Sequence, residues 1–92
     1  MRLASGRLEL VLAPEVGGSI ARFDYVGEEA RVPILRGAEG VPGRVLDAAS
    51  FPLVPYSNRI RGGRFAFRGR ELSIAPNMAG DSSPLHGQGW LS

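Results

Sequence analysis

Thirteen glycines and seven prolines divide this chain of 92 residues so finely that no apolar pattern at helical spacing continues for three turns. Glycine accepts positive φ and weakens helix interiors, while proline removes a backbone donor and fits neither a helix interior nor a central strand. Only short extended runs fit between such breaks. Short strands punctuated by Gly and Pro, with no internal repeat, indicate an all-β, antiparallel sandwich or barrel in which helices are nearly absent.

The strands can be placed by their period of two. Arg7-Leu8-Glu9-Leu10-Val11-Leu12 starts in strict alternation and turns fully apolar, as a strand does when first one face and then both are covered. Pro14 to Ser19 breaks it, and Ile20 to Val26 resumes the alternation as a second strand antiparallel to the first. Arg31 to Arg36 reads as a third strand, placed at an edge by Pro33. Gly37 to Gly43 suits a loop, and Val45 to Ala49 allows one helical turn too short to stand alone. Phe51 to Tyr56 carries two prolines and reads as an extended edge or polyproline-like segment. The strongest local signal is a hairpin over residues 63–74 with Arg68-Gly69 as a two-residue loop. That loop sets Phe67 opposite Arg70, Phe65 opposite Leu72 and Gly63 opposite Ile74. Arg64, Ala66, Glu71 and Ser73 then share the other face.

The composition excludes several classes. Without cysteine, disulfides and thiolate metal sites are ruled out, and a lone histidine argues against a transition-metal centre. Every Lys/Arg position is arginine, and the net charge is only +2. The basic groups are interspersed with acids and no recognition motif accompanies them, so no nucleic-acid partner is expected. The longest apolar run is far too short to cross a bilayer and no leader pattern opens the chain, so no membrane partner and a cytoplasmic location are expected.

The unusual chemistry lies between Phe51 and Trp90. Asn58 and Arg59 place an amide donor and acceptor beside a fork of five fixed donors, a pairing suited to clamping hydroxyls or a carboxylate. The plainer reading is a Ser57-Asn58 turn with Arg59, Arg61 and Arg64 in solvent. His86, in Leu85-His86-Gly87-Gln88-Gly89-Trp90, can exchange a proton near neutrality or donate to a ligand oxygen, or can be a satisfied turn residue. Trp90 offers a flat face to a sugar ring, or simply packs. No phosphate loop and no nucleophile elbow is present, and Glu71 and Asp81 are candidate acids only by being there.

Phe51 to Gly69 closely resembles the Pro-x-x-Asn-Arg-Ile-x-x-Gly-x-Phe-x-(Phe/Tyr)-x-Gly segment of the aldose 1-epimerase (galactose mutarotase) family. Leu85 to Trp90 resembles that family's Leu-His-Gly-x-x-Trp segment, and Leu8 to Phe23 is similar to its opening strands. The resemblance implies the N-terminal portion of a galactose mutarotase-like antiparallel β-sandwich, with residues 1–92 as one N-terminal segment of that domain. It also implies an isomerase that interconverts the α and β anomers of a free hexose or hexose phosphate without a cofactor. By the same resemblance Arg59 contacts the sugar hydroxyls, and Asn58, through its own donor and acceptor beside it, is a further expected sugar-binding residue. His86 both binds the sugar and acts catalytically on the ring-oxygen side.

One departure follows from the same comparison. In the family a second histidine is the principal acid and a glutamate the base, both beyond the segment matched by Leu85 to Trp90, so neither is carried over onto a residue here. The resemblance therefore implies a chain inactive alone that self-associates or pairs with the remainder of a sandwich. Two other readings of the residues are a sugar-binding remnant without turnover and a small β interaction module. Arg61 or Arg64 could serve a phosphorylated sugar.

Overall fold

The period-two runs become strands in a computed structural model that describes all residues from Met1 to Ser92. Six strands form: β1 (Arg2–Ser5), β2 (Leu8–Ala13), β3 (Ser19–Val26), β4 (Arg31–Leu35), β5 (Arg64–Phe67) and β6 (Arg70–Ser73). All pairings are antiparallel. The only helical elements are single 3₁₀ turns, as the density of breakers requires. The all-β antiparallel class expected from the sequence is the class observed. The chain divides into two compact units, Met1–Pro52 with Trp90–Ser92, and Leu53–Gly89.

In the first unit the order β1-β2-β3-β4 is a meander. β4 lies at an edge, where the missing N–H of Pro33 costs no interior ladder bond. β1 was not expected from the sequence. Four exposed residues carry too little pattern, and the strand exists because Gly6, at φ 57, turns the chain so that Ser5 pairs with Leu8. Register aligns Leu3, Leu10, Phe23 and Leu35 as an apolar row across all four strands, with Leu8, Tyr25 and Val32 on the same face. Leu3, Leu8, Tyr25 and Val32 remain exposed.

The opposite face pairs Glu9 directly with Asp24. Two like charges in that position repel unless cations intervene, and three arginines do. Arg2 and Arg31 bind Glu9, the latter at 2.8 Å; Arg31 and Arg22 bind Asp24 at 3.1 and 2.8 Å. Hydrogen bonds from Arg2 first, then Arg31, hold the Glu9 carboxyl down from its ordinary 4.5 to about 2.

The buried apolar residues of this unit are small apart from one: Ala13, Ala21, Val45, Ala48 and Trp90. Trp90 stacks on Phe51 with ring centroids 5.9 Å apart. Gly17, at φ 60, donates to the Ser92 carbonyl at 2.7 Å and leaves no room for a Cβ against the Trp90 carbonyl. Of the two roles open to Trp90 in the sequence, packing is the one observed.

The second unit contains the hairpin in the expected register, Phe67 opposite Arg70 and Phe65 opposite Leu72. Arg68 and Gly69 have φ of 51 and 74, so both central residues of the loop are left-handed as a type I′ turn demands. The Ile74 N–H donates to the Gly63 carbonyl at 2.7 Å, which extends the pairing to the Gly63–Ile74 position. Arg64 is ion-paired with Glu71 on the polar face, and the Arg68 guanidinium lies 5.2 Å from the Phe67 ring centroid. Residues 51–56 form no strand, and the Val54-Pro55 peptide is cis.

Candidate functional site

Within the second unit, two segments far apart in sequence are pinned together. Arg59 and Leu85 form an isolated antiparallel bridge, and the Ile60 N–H donates to the Pro84 carbonyl at 3.2 Å. Next to this bridge Asn58 and His86 grip each other twice. The His86 N–H donates to the Asn58 carbonyl at 2.9 Å, and the Asn58 N–H donates to His86 Nδ1 at 2.7 Å. Both residues are left-handed, with φ of 62 and 57. Such backbone costs a non-glycine residue about 1–2 kcal/mol, least for Asn and Asp, and persists where its surroundings over-determine it.

The second of these bonds fixes the chemistry of the imidazole. A ring nitrogen that accepts from a backbone N–H carries no proton, so in the neutral ring the proton is on Nε2. His86 is therefore built to donate from Nε2. Its loop is equally constrained: Gly87, at φ 72, lies so close to the Pro55 ring and the Val54 carbonyl that no Cβ fits. The Gly89 N–H donates to the same Val54 carbonyl at 3.1 Å.

Arg59 is held from behind. Its Nε donates to Asp81 Oδ2 at 2.6 Å, and Asp81 Oδ1 accepts the Ser83 N–H at 2.9 Å. Ser83 Oγ in turn accepts the Gly62 N–H at 3.0 Å. The arginine, then the Ser83 amide, keep the Asp81 carboxyl below the usual carboxylate range. Asp81 thus holds Arg59 through Nε, and the guanidinium remains about half exposed.

The three residues singled out in the sequence are thus brought together: Asn58 and His86 by direct hydrogen bonds, and Arg59 by its bridge to the residue before His86. Glu71 is committed to Arg64 on the hairpin, and Asp81 to Arg59. Sequence reasoning missed Asn77 and Ser83, whose side chains bond to backbone across the loop. A loop of turn formers gives no periodic signal by which they could have been found.

The sequence profile of the aldose 1-epimerase family matches residues 1–91, and the chain belongs to that family. It is 40% identical over 89 residues to the uncharacterized protein YphB of Escherichia coli K12, a match covering 97% of this chain and 29% of YphB. Its fold is similar to the crystal structure of a candidate aldose 1-epimerase from Escherichia coli K12. That similarity has a TM-score of 0.83 at 40% identity and covers 99% of this chain and 29% of the other. The chain thus spans less than a third of the length of each relative, and the antiparallel β-sandwich is its fold class.

No helix of the chain is long and apolar enough to cross a membrane.

Proposed function

We propose that residues 53–89 supply the sugar-facing side of an aldose 1-epimerase site, which interconverts the α and β anomers of a free hexose or hexose phosphate. The observation that carries this reading is the double grip between Asn58 and His86, which orients a ring with its proton on Nε2 beside a backed-up arginine. In the reaction a base takes the anomeric hydroxyl proton and an acid protonates the ring oxygen as the bond from that oxygen to C1 breaks. Rotation about C1–C2 and reclosure by the reverse transfers give the other anomer, with every atom conserved. His86 Nε2–H donates toward the ring oxygen, while the Arg59 amino groups and the exposed Asn58 bind hydroxyls.

No base is assigned within this stretch, because Asp81 and Glu71 are each engaged by an arginine. That engagement supports a second reading in which these 92 residues bind an aldose without turning it over. Polarimetry of freshly dissolved α-D-galactose and α-D-glucose separates the two. Acceleration by the chain that vanishes in His86→Ala and Arg59→Ala supports turnover. A rate equal to buffer, together with saturable sugar binding, supports binding alone. A rate equal to buffer with no binding removes both.

A further inference from the structure

We propose that Asn77 is a positioning residue that fixes the orientation and tautomer of His86 by clamping the backbone of its two neighbours, Leu85 and Gly87. The part-buried Asn77 amide spends all of its principal bonding capacity on this one turn. Its Nδ2 donates to the Leu85 carbonyl at 2.7 Å and to the Gly87 carbonyl at 2.8 Å, and its Oδ1 accepts the Leu85 N–H at 2.7 Å. Carbonyls two residues apart reach a single nitrogen only where the backbone between them is more compact than a strand, which sets them about 6.6 Å apart. The residue between them is His86 in its left-handed conformation.

The clamp acts through geometry alone. With the peptide planes of Leu85 and Gly87 fixed, the His86 N–H is aimed at the Asn58 carbonyl and Nδ1 at the Asn58 N–H. Without it, left-handed backbone at a residue with a Cβ relaxes to ordinary φ and the Nδ1 bond is lost. An asparagine is specifically suited to the position. Aspartate has the reach but offers no donor to either carbonyl, glutamine is one methylene longer, and serine has one donor and no second arm. The role assigned to the Nε2 proton rests on the proposed function above; the clamp itself rests on the three hydrogen bonds.

The test is the two-bond proton–nitrogen NMR correlation of the His86 ring in the full 92-residue chain, in mildly alkaline buffer, with the Phe65 to Leu72 amide signals reporting that the hairpin is intact. The native chain is expected to show one tautomer, Nδ1 bare and Nε2 protonated. Asn77→Ala is expected to lose that pattern and average between tautomers. Asn77→Asp preserves size and the acceptor for the Leu85 N–H while removing both donors, and is expected to change in the same direction if the alanine variant does not fold. A folded variant that keeps the single-tautomer pattern overturns the proposal, as does a native ring with its proton on Nδ1. Anomer relaxation followed on the same samples keeps the two readings apart. A native chain with a fixed tautomer, lost in the variants, supports the clamp even where it leaves relaxation at the buffer rate and the turnover reading fails. Relaxation accelerated equally by native chain and variants, with the tautomer unchanged, supports the activity and overturns the clamp.

Discussion

Between residues 1 and 52 the backbone is held by a ladder that repeats, whereas between 53 and 89 it is held by bonds that each occur once. The first unit pairs four strands in register, and any one of its ladder bonds is backed by neighbours of the same kind. The second has a single hairpin; the rest of it depends on Asn77, Asp81, Ser83, the Asn58–His86 grip and glycines at positive φ. A ladder stabilises mainly through backbone bonds that every residue but proline can make. Individual side-chain bonds, to backbone or to another side chain, set the position of a particular group, and Asn58, Arg59 and His86 are the groups so set. Left-handed non-glycine backbone beyond a hairpin turn is confined to Asn58 and His86.

The largest expected effect breaks the second unit at its tightest point. Gly87→Ala adds a Cβ that overlaps the Pro55 ring and the Val54 carbonyl at a residue with φ of 72. We expect a loss of about 2–5 kcal/mol in denaturant unfolding, from the left-handed backbone and the overpacking together. The amide signals of 58–60 and 84–88 should scatter while those of β2 and β3 remain. Gly17→Ala, at φ 60 against the Trp90 carbonyl, should reverse that pattern. If both variants disturb the same set of signals, the contrast between the units is wrong. Gly62→Ala has the same backbone sign, φ 62, but open space around it. It should lose only about 1–2 kcal/mol, and an equal loss at Gly62 and Gly87 would mean that crowding contributes nothing.

A pH titration sharpens the comparison in the first unit. Glu9 has a carboxyl held at about 2 by Arg2 and Arg31, so its folded value is below its unfolded one. Stability from this group is therefore complete above the ordinary carboxylate value of 4.5 and declines as pH falls toward 2. Carboxyl-carbon NMR of Glu9 should give the low midpoint, and Glu9→Gln should flatten the acid limb of the stability curve. A midpoint near 4.5 would remove the cluster from the account. The smallest effect is expected at the hairpin, where Arg64 and Glu71 are both largely solvent-exposed. Arg64→Ala should change stability by less than about 1 kcal/mol, less still at high salt.

What could be read in the sequence depended on how far apart the interacting residues lie. β2, β3, β4 and the hairpin are legible because period-two alternation and a two-residue turn are local signals. The bulge between Val11 and Leu12, and the way Glu9 meets Asp24, depend on register, which alternation alone does not determine. In the candidate site, Asn58, Arg59 and His86 could be singled out by their chemistry and the family motifs, and the structure places them together. Asn77 was not, because its partners are backbone atoms eight and ten residues away. Asp81 was visible as an acid, but that it backs Arg59 across 22 residues was not.

The central claim, that Asn58, Arg59 and His86 form one sugar-facing surface, is tested most directly by titrating the isotopically labelled chain with D-galactose and following every amide and the His86 ring by NMR. The account predicts saturable shifts concentrated at residues 58–59 and 85–87, with affinity reduced at least about tenfold in Arg59→Ala, as loss of a hydrogen bond from a charged donor implies. Shifts that are absent at high sugar concentration, that fall on the hairpin or the first unit instead, or that persist unchanged in Arg59→Ala would contradict it.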